Sequence, residues 1–92
     1  INYGQDTAGV YVRIGVIEAS RQNVEAAEAN FKKALKADPA SFDALNNLGA
    51  LYANKGDYKQ AVFYWEKALG VKPDNAQTRK NLDYLKSAIN KK

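Results

Sequence analysis

Apolar residues return every third or fourth position along this chain, in successive runs separated by short polar breaks. Val10, Tyr11, Ile14 and Ile17 form the first run, and Ala27, Phe31, Ala34 and Leu35 the second. At 3.6 residues per turn each run draws one apolar stripe along an α-helix. Helices are therefore predicted over 8–21 and 24–37, with those residues facing inward. Leu45, Leu48, Leu51 and Tyr52 predict a third helix over 42–55, and a fourth follows over 58–70. A fifth, over 75–89, carries Leu82, Leu85 and Ile89 on one side and Arg79, Lys80, Asp83 and Lys86 on the other.

The breaks have their own chemistry. Asp38-Pro39 and Lys72-Pro73-Asp74 stop helices, because proline lacks the amide that continues the ladder. Gly56-Asp57 makes a turn, and Asp57 with Gln60 three residues on reads as a capping box. Asn23 is placed to cap the second helix with its side-chain oxygen. Residues 1–7 show no helical spacing and read as a lead-in that ends in a cap at Asp6 or Thr7.

A longer period overlies the helical one. Gly15 and Gly49, Ala19 and Ala53, Ala27 and Ala61, Lys33 and Lys67, Ala34 and Ala68, Leu35 and Leu69, and Pro39 and Pro73 all stand 34 residues apart. One helical hairpin is thus written twice, and a single such hairpin cannot bury its own apolar face. The small residues at Gly15, Ala27, Ala34, Gly49, Ala61 and Ala68 let helix backbones approach, while Phe31, Tyr52 and Trp65 fill the space beside them. The expected fold class is all-α.

These residues resemble the tetratricopeptide repeat family, whose 34-residue unit sets an aromatic, Leu, Gly, Tyr, Ala, aromatic, Ala and Pro at fixed places. The second unit, 42–75, has Leu45, Leu48-Gly49, Tyr52, Ala61, Trp65, Ala68 and Pro73 in register, with Leu45 where the family usually has Trp. The first unit, 8–41, matches at Tyr11, Ile14-Gly15, Ala27, Phe31, Ala34 and Pro39. It departs at Glu18, where the family prefers Tyr, and at Gln22, where the family turns on Gly; a less regular turn is expected there. The resemblance implies a right-handed α-α superhelix of two hairpins closed by a capping helix and basic tail over 76–92.

Function follows from the same resemblance as an expectation: a non-catalytic scaffold or adaptor that docks a protein or peptide partner in a concave groove. In that geometry the first helices of the hairpins would line the groove with Val12, Arg13, Val16 and Ser20, then Asn46, Asn47, Ala50 and Asn54. The capping helix would add Lys80, Asn81 and Tyr84. Asparagine amides both donate and accept, which suits a bound backbone, and Val12, Val16 and Ala50 leave an apolar strip between them. Some family members grip a chaperone's C-terminal carboxylate with Lys and Asn residues; here Val12, Val16, Gln77 and Asn81 occupy most of those places and only Asn47 fits. Phe63 with Tyr64 is a second candidate surface, for contact with another chain or for packing on the capping helix or a neighbouring turn. Self-association, or a regulatory role inside a longer protein, is the alternative function.

Composition narrows the field. Among the 92 residues there is no Cys and no His, so soft and imidazole metal ligands are missing and no metal or cofactor is expected. Imidazole-based nucleophile triads are excluded with them, and no enzyme activity is expected. Glu25 and Glu28, with Lys32 after them, read as a solvated, charge-paired face. The net charge of +4 favours acidic partners mildly. Nucleic acid is disfavoured, because Glu25, Glu28, Glu66 and Asp83 interrupt the basic residues Lys32, Lys33, Lys36, Arg79, Lys80, Lys86, Lys91 and Lys92. No apolar run reaches the roughly 20 residues a bilayer requires, so a soluble segment is expected, with the cytoplasm as the default compartment. The chain opens on Ile1 and contains no Met, which predicts a lost native start or a piece cut from something longer.

Overall fold

The computed structural model describes residues 7–90, which form helices α1 (Thr7–Ser20), α2 (Val24–Ala37), α3 (Phe42–Lys55), α4 (Tyr58–Val71) and α5 (Ala76–Asn90). The expected helices are all present, with no end moved by more than one residue. Thr7 opens α1 instead of closing a lead-in. The cap expected at Asp6 and the basic tail at Lys91 and Lys92 lie outside the described residues.

Helices pair in chain order. α1 packs on α2 and α3 on α4; α2 and, more lightly, α1 cover α3, and α4 covers α5. The result measures 51 × 29 × 17 Å, the elongated outline of stacked hairpins. It is the all-α repeat superhelix that the period predicts. Its core runs through the middle of the stack: Ala27, Phe31, Leu48, Leu51, Tyr52, Ala61, Trp65, Leu69, Leu82 and Leu85 form one buried cluster. Each large apolar side chain there contributes about 1.5–3 kcal/mol over its exposed state.

Large rings sit against missing side chains. A Cβ placed on Gly15 would lie 2.5 Å from Phe31 Cε1, and one on Gly49 2.3 Å from Trp65 Cδ1. The two hairpins therefore close by the same ring-on-glycine contact, 34 residues apart. Their turns match too. The Gln22 amide donates to Ala19 O and the Asn23 amide to Glu18 O, as the Gly56 amide donates to Ala53 O and the Asp57 amide to Tyr52 O. The turn at Gln22 is as regular as its glycine counterpart, contrary to expectation. Its cost appears in the backbone: Gln22 adopts φ 65° where Gly56 has φ 84°, a region that disfavours a Cβ.

Caps differ from the sequence reading in two places. Asn23 occupies the N-cap of α2, but its side chain makes no capping bond; Nδ2 donates instead to Glu18 Oε1 at 2.8 Å. The Glu18 carboxylate across the turn captures the amide that would otherwise face the helix. At α4 only half of the capping box forms. Asp57 Oδ1 accepts from the Gln60 amide at 3.3 Å, while the Asp57 amide is taken by Tyr52 O as part of the turn. Ser41 and Asn75, which the pattern did not mark, cap α3 and α5 through the amides of Ala44 and Thr78.

The two ends of the stack are unlike. On α1 the expected inward residues Val10, Ile14 and Ile17 are 43%, 38% and 50% exposed, and only Gly15 is buried. Helical spacing identifies a stripe but not what covers it, and no described helix lies beyond α1. At the far end α5 turns Leu82, Leu85 and Thr78 inward and leaves Arg79, Asp83 and Lys86 in solvent.

Candidate protein-docking groove

Each hairpin leaves a recess where it meets the first helix of the next unit. Between α3 and α5 it has a volume of 340 Å³ and is lined by Ala53, Tyr58, Trp65, Asn81, Tyr84, Leu85 and Ala88. Tyr84 stands at its edge, 76% exposed, and Tyr58 is 43% exposed. A second recess, of 380 Å³, lies one repeat earlier between α1 and α3, lined by Ala19, Gln22, Val24, Leu51, Asn54 and Lys55. The correspondence is position by position: Ala19 with Ala53, Val24 with Tyr58, Leu51 with Leu85, and Asn54 with Ala88.

The predicted groove residues divide between these recesses, the surface and the interior. Asn81 and Tyr84 fall in the first recess and Asn54 in the second. Val16, Arg13, Ala50 and Lys80 are exposed, and Val12 is half-buried against the core. Ser20 is exposed, with Oγ donating to Ile17 O at 2.7 Å. Asn47 Nδ2 donates to Asp43 O at 2.8 Å, within its own helix. Asn81 Oδ1 accepts from Gln77 Nε2 at 3.3 Å.

Asn46 stands apart from the rest. Its Oδ1 accepts from Thr78 Oγ1 at 2.8 Å, and its backbone oxygen accepts from Trp65 Nε1 at 3.1 Å. The side-chain Oδ1 therefore braces α3 to α5 and is not offered to a guest. Thr78 is 1% exposed, and a hydroxyl buried so deeply needs a partner of this kind.

Sequence reasoning missed Tyr58, Ala53, Trp65, Leu85 and Ala88 as lining residues. Tyr58 carried a signal, a large ring directly after a capping Asp, where the first turn of a helix faces water. Ala53 was read as repeat spacing and Trp65 and Leu85 as core, and core residues form the floor wherever two helices part; Ala88 was not singled out.

Phe63 and Tyr64 differ in burial, Phe63 being exposed and Tyr64 half-buried. Tyr64 stacks on Tyr52 with ring centroids 5.6 Å apart and planes within 4°, so it belongs to the hairpin it sits in and not to the capping helix. Phe63 meets Tyr64 edge-on at 5.1 Å and remains half-exposed under the Lys67 ammonium.

A polar clasp holds the two hairpins in register behind the recesses. Glu28 on α2 accepts from the Tyr52 hydroxyl on α3, pairs with Lys32 Nζ at 2.9 Å and reaches Lys55 Nζ at 3.3 Å. It is a crossing brace, not the solvated face expected from its spacing to Lys32. The Tyr52 hydroxyl, ahead of the two ammonium groups, pulls the Glu28 carboxyl from 4.5 to about 2, although burial pushes the other way. Burial, and then the Glu28 charge, raise Tyr52; Glu28 likewise raises Lys32. Among the described residues no group of three or more carboxylate, imidazole or thiol side chains converges as a metal site, and no helix is long and apolar enough to cross a membrane.

Hairpins stacked in chain order on ring-on-glycine contacts define a class, the helical-repeat binding proteins. The profile of the tetratricopeptide repeat family matches residues 42–75, and a second repeat profile of that family matches 15–56. The chain belongs to the tetratricopeptide repeat family. It is 33% identical over 85 residues to the chloroplastic tetratricopeptide repeat domain-containing protein PYG7 of Arabidopsis thaliana, covering 92% of this chain and 28% of that protein. It is also 30% identical over 84 residues to the photosystem I assembly protein Ycf3 of Cyanophora paradoxa, covering 76% of this chain and 49% of that protein. The Acaryochloris marina Ycf3 is 31% identical over 74 residues, covering 77% of this chain and 45% of that protein. The chain spans less than half the length of each of these relatives.

Proposed function

We propose that the chain is a non-catalytic docking module, and that the side lined by α1, α3 and α5 is a concave groove holding a segment of a partner protein. The observation that carries this reading is the 340 Å³ recess beneath Tyr84, floored by Trp65 and Leu85 and walled by Tyr58. An exposed aromatic beside a recess of that size accepts one bulky apolar side chain of a guest, as peptide grooves on helical scaffolds do. Asn54 and Val16 meet the rest of the segment, in extended or helical form. The assembly function in the names of the Ycf3 relatives supports photosystem I assembly as the process, with a component of photosystem I as the guest. The compartment named for the Arabidopsis relative makes the chloroplast, and not the cytoplasm, the place to look in a plant.

Capture of photosystem I subunits from solubilised photosynthetic membranes tests both parts of the reading. Wild-type chain should retain one or more subunits, and a Val16→Glu, Tyr84→Ala variant with unchanged circular dichroism should lose them. Retention by the folded variant removes the groove. Failure of the wild type to hold any subunit removes the assembly role.

A further inference from the structure

The outer face of α4 departs from the repeat it belongs to. Lys59, Phe63 and Lys67 stand four residues apart and share one side of the helix, where the same register of α2 has Glu25, Ala29 and Lys33. Ala29 and Phe63 are both exposed, so stacking of the hairpins asks for no ring at this position. The Phe63 ring is nonetheless fixed. It meets Tyr64 edge-on at 5.1 Å, Tyr64 stacks on Tyr52, and the Lys67 ammonium lies 5.1 Å from the Phe63 centroid, yet Phe63 remains 49% exposed. The charge beside it has one sign. Glu66, the single carboxylate of α4, pairs with Lys86 on α5 at 2.9 Å. Lys59 and Lys67 are exposed and have no carboxylate partner among the described residues.

We propose that this face is a second interaction surface, for an extended acidic segment of a partner protein that lays an apolar side chain on Phe63 and a carboxylate on each of Lys59 and Lys67. A ring already held in place loses little freedom on contact, which suits it as the anchor. The spacing sets the pattern of the segment. Eight residues of helix separate the two lysines by about 12 Å, and four residues of extended chain advance about 13 Å with alternate side chains on one side. Acidic, apolar and acidic residues at alternate positions therefore meet all three side chains together. A bilayer fits less well: each lysine contributes about 1 kcal/mol at an anionic surface, and lipid recognition takes clusters of roughly four to eight. A second copy of this chain does not carry the pattern, because no two of its acidic residues stand four apart. None of Lys59, Phe63 and Lys67 lines either recess, so the surface is separate from the groove.

The test uses the whole 92-residue chain and an acetylated, amidated pentapeptide with aspartate at both ends, leucine at the centre and alanine between, titrated to millimolar concentration. Saturable amide shifts are expected at Lys59, Phe63 and Lys67. Asparagine in place of one aspartate should weaken binding about two- to fivefold, as loss of an exposed ion pair does. Phe63→Ala installs the residue that α2 has in this register, so helix content should hold by circular dichroism while the saturable shifts disappear. Lys59→Glu with Lys67→Glu should transfer binding to the same peptide with lysine at both ends. Tyr84→Ala should leave the shifts unchanged, which separates this surface from the groove. Absence of shifts, shifts that survive Phe63→Ala, equal binding of the lysine-ended peptide to the parent chain, or shifts centred on Tyr84 and Ala50 overturns the proposal. So does binding to vesicles of phosphatidylglycerol and phosphatidylcholine without binding of the peptide, or concentration-dependent dimerisation blocked by Phe63→Ala.

Discussion

Replacing Gly49 by Ala should destabilise the protein even though alanine is the better helix former. The substitution adds one methyl group inside α3, where the new Cβ would stand 2.3, 2.4 and 2.8 Å from Trp65 Cδ1, Nε1 and Cε2. The ring cannot swing aside. It is 5% exposed, and its Nε1 donates to Asn46 O. Helix propensity favours Ala by about 1 kcal/mol, whereas overpacking costs about 1–3 kcal/mol and displacing the indole hydrogen bond costs about 1 kcal/mol more. The net loss is about 1–3 kcal/mol, and each kcal/mol lowers Tm by roughly 4–8 °C in a domain of this size.

Gly70 supplies the control. It lies in α4, exposed, with nothing within 4 Å of an added Cβ. Gly70→Ala should raise stability by about 0.5–1 kcal/mol through propensity alone. Thermal melts followed by circular dichroism, with Trp65 emission as a local probe, measure both. Trp65→Leu in the Gly49→Ala background should relieve part of the clash and give a coupling that neither change shows alone. Equal shifts at the two glycines, or a Gly49→Ala protein more stable than the parent, would refute the ring-on-glycine account of hairpin closure.

Two further predictions concern the clasp and the first turn. The Glu28 carboxyl is held at about 2 against 4.5 when unfolded, so its contribution is complete above pH 4.5 and disappears as pH falls through about 2. Its side chain is 19% exposed but its lysine partners are 51% and 41% exposed, so screening reduces the contribution to about 1–2 kcal/mol. Denaturant melts should show Glu28→Gln less stable at pH 7 and flatter between pH 2 and 4.5; a variant with the parent's pH profile would dismiss the clasp. Gln22→Gly should stabilise by about 1 kcal/mol, because φ 65° strains a residue with a Cβ; an unchanged denaturation midpoint would show that the strain is not there.

The architecture was legible because it is written in spacing. Helix lengths, hairpin pairing and the ring-on-glycine contacts all follow from positions that recur at fixed intervals, and the same positions fix the family. What spacing could not show was occupancy. Val10, Ile14 and Ile17 have the periodicity of a core stripe, but burial depends on a neighbouring helix that the stripe itself does not specify. Glu28 has the local spacing of a surface ion pair with Lys32, yet its decisive partner, Tyr52, is 24 residues away. Asn46 shows the limit for the groove: a face assigned from the helical wheel cannot reveal that a Thr from another helix has claimed its oxygen. Tyr58 and Tyr84 could be read as exposed rings, but only the parting of α3 and α5 places them around one recess.

In the proposed docking role, the contrast between the two recesses is the source of selectivity. The framework beneath them repeats closely, Ala19 with Ala53 and Leu51 with Leu85, so the space is the same in kind. The walls do not repeat. Val24 becomes Tyr58, and Asn54 becomes Ala88. The earlier recess is edged by Gln22, Asn54 and Lys55, which hydrogen-bond, and the later one mainly by the rings of Tyr58, Trp65 and Tyr84, with Asn81 as its amide. In the docking reading proposed above, a guest filling both recesses would meet hydrogen-bonding groups in the earlier one and rings in the later one, so reversing its order would seat each side chain against the wrong wall. Unlike walls on a repeated frame give the groove a direction, which a perfectly repeated groove would lack.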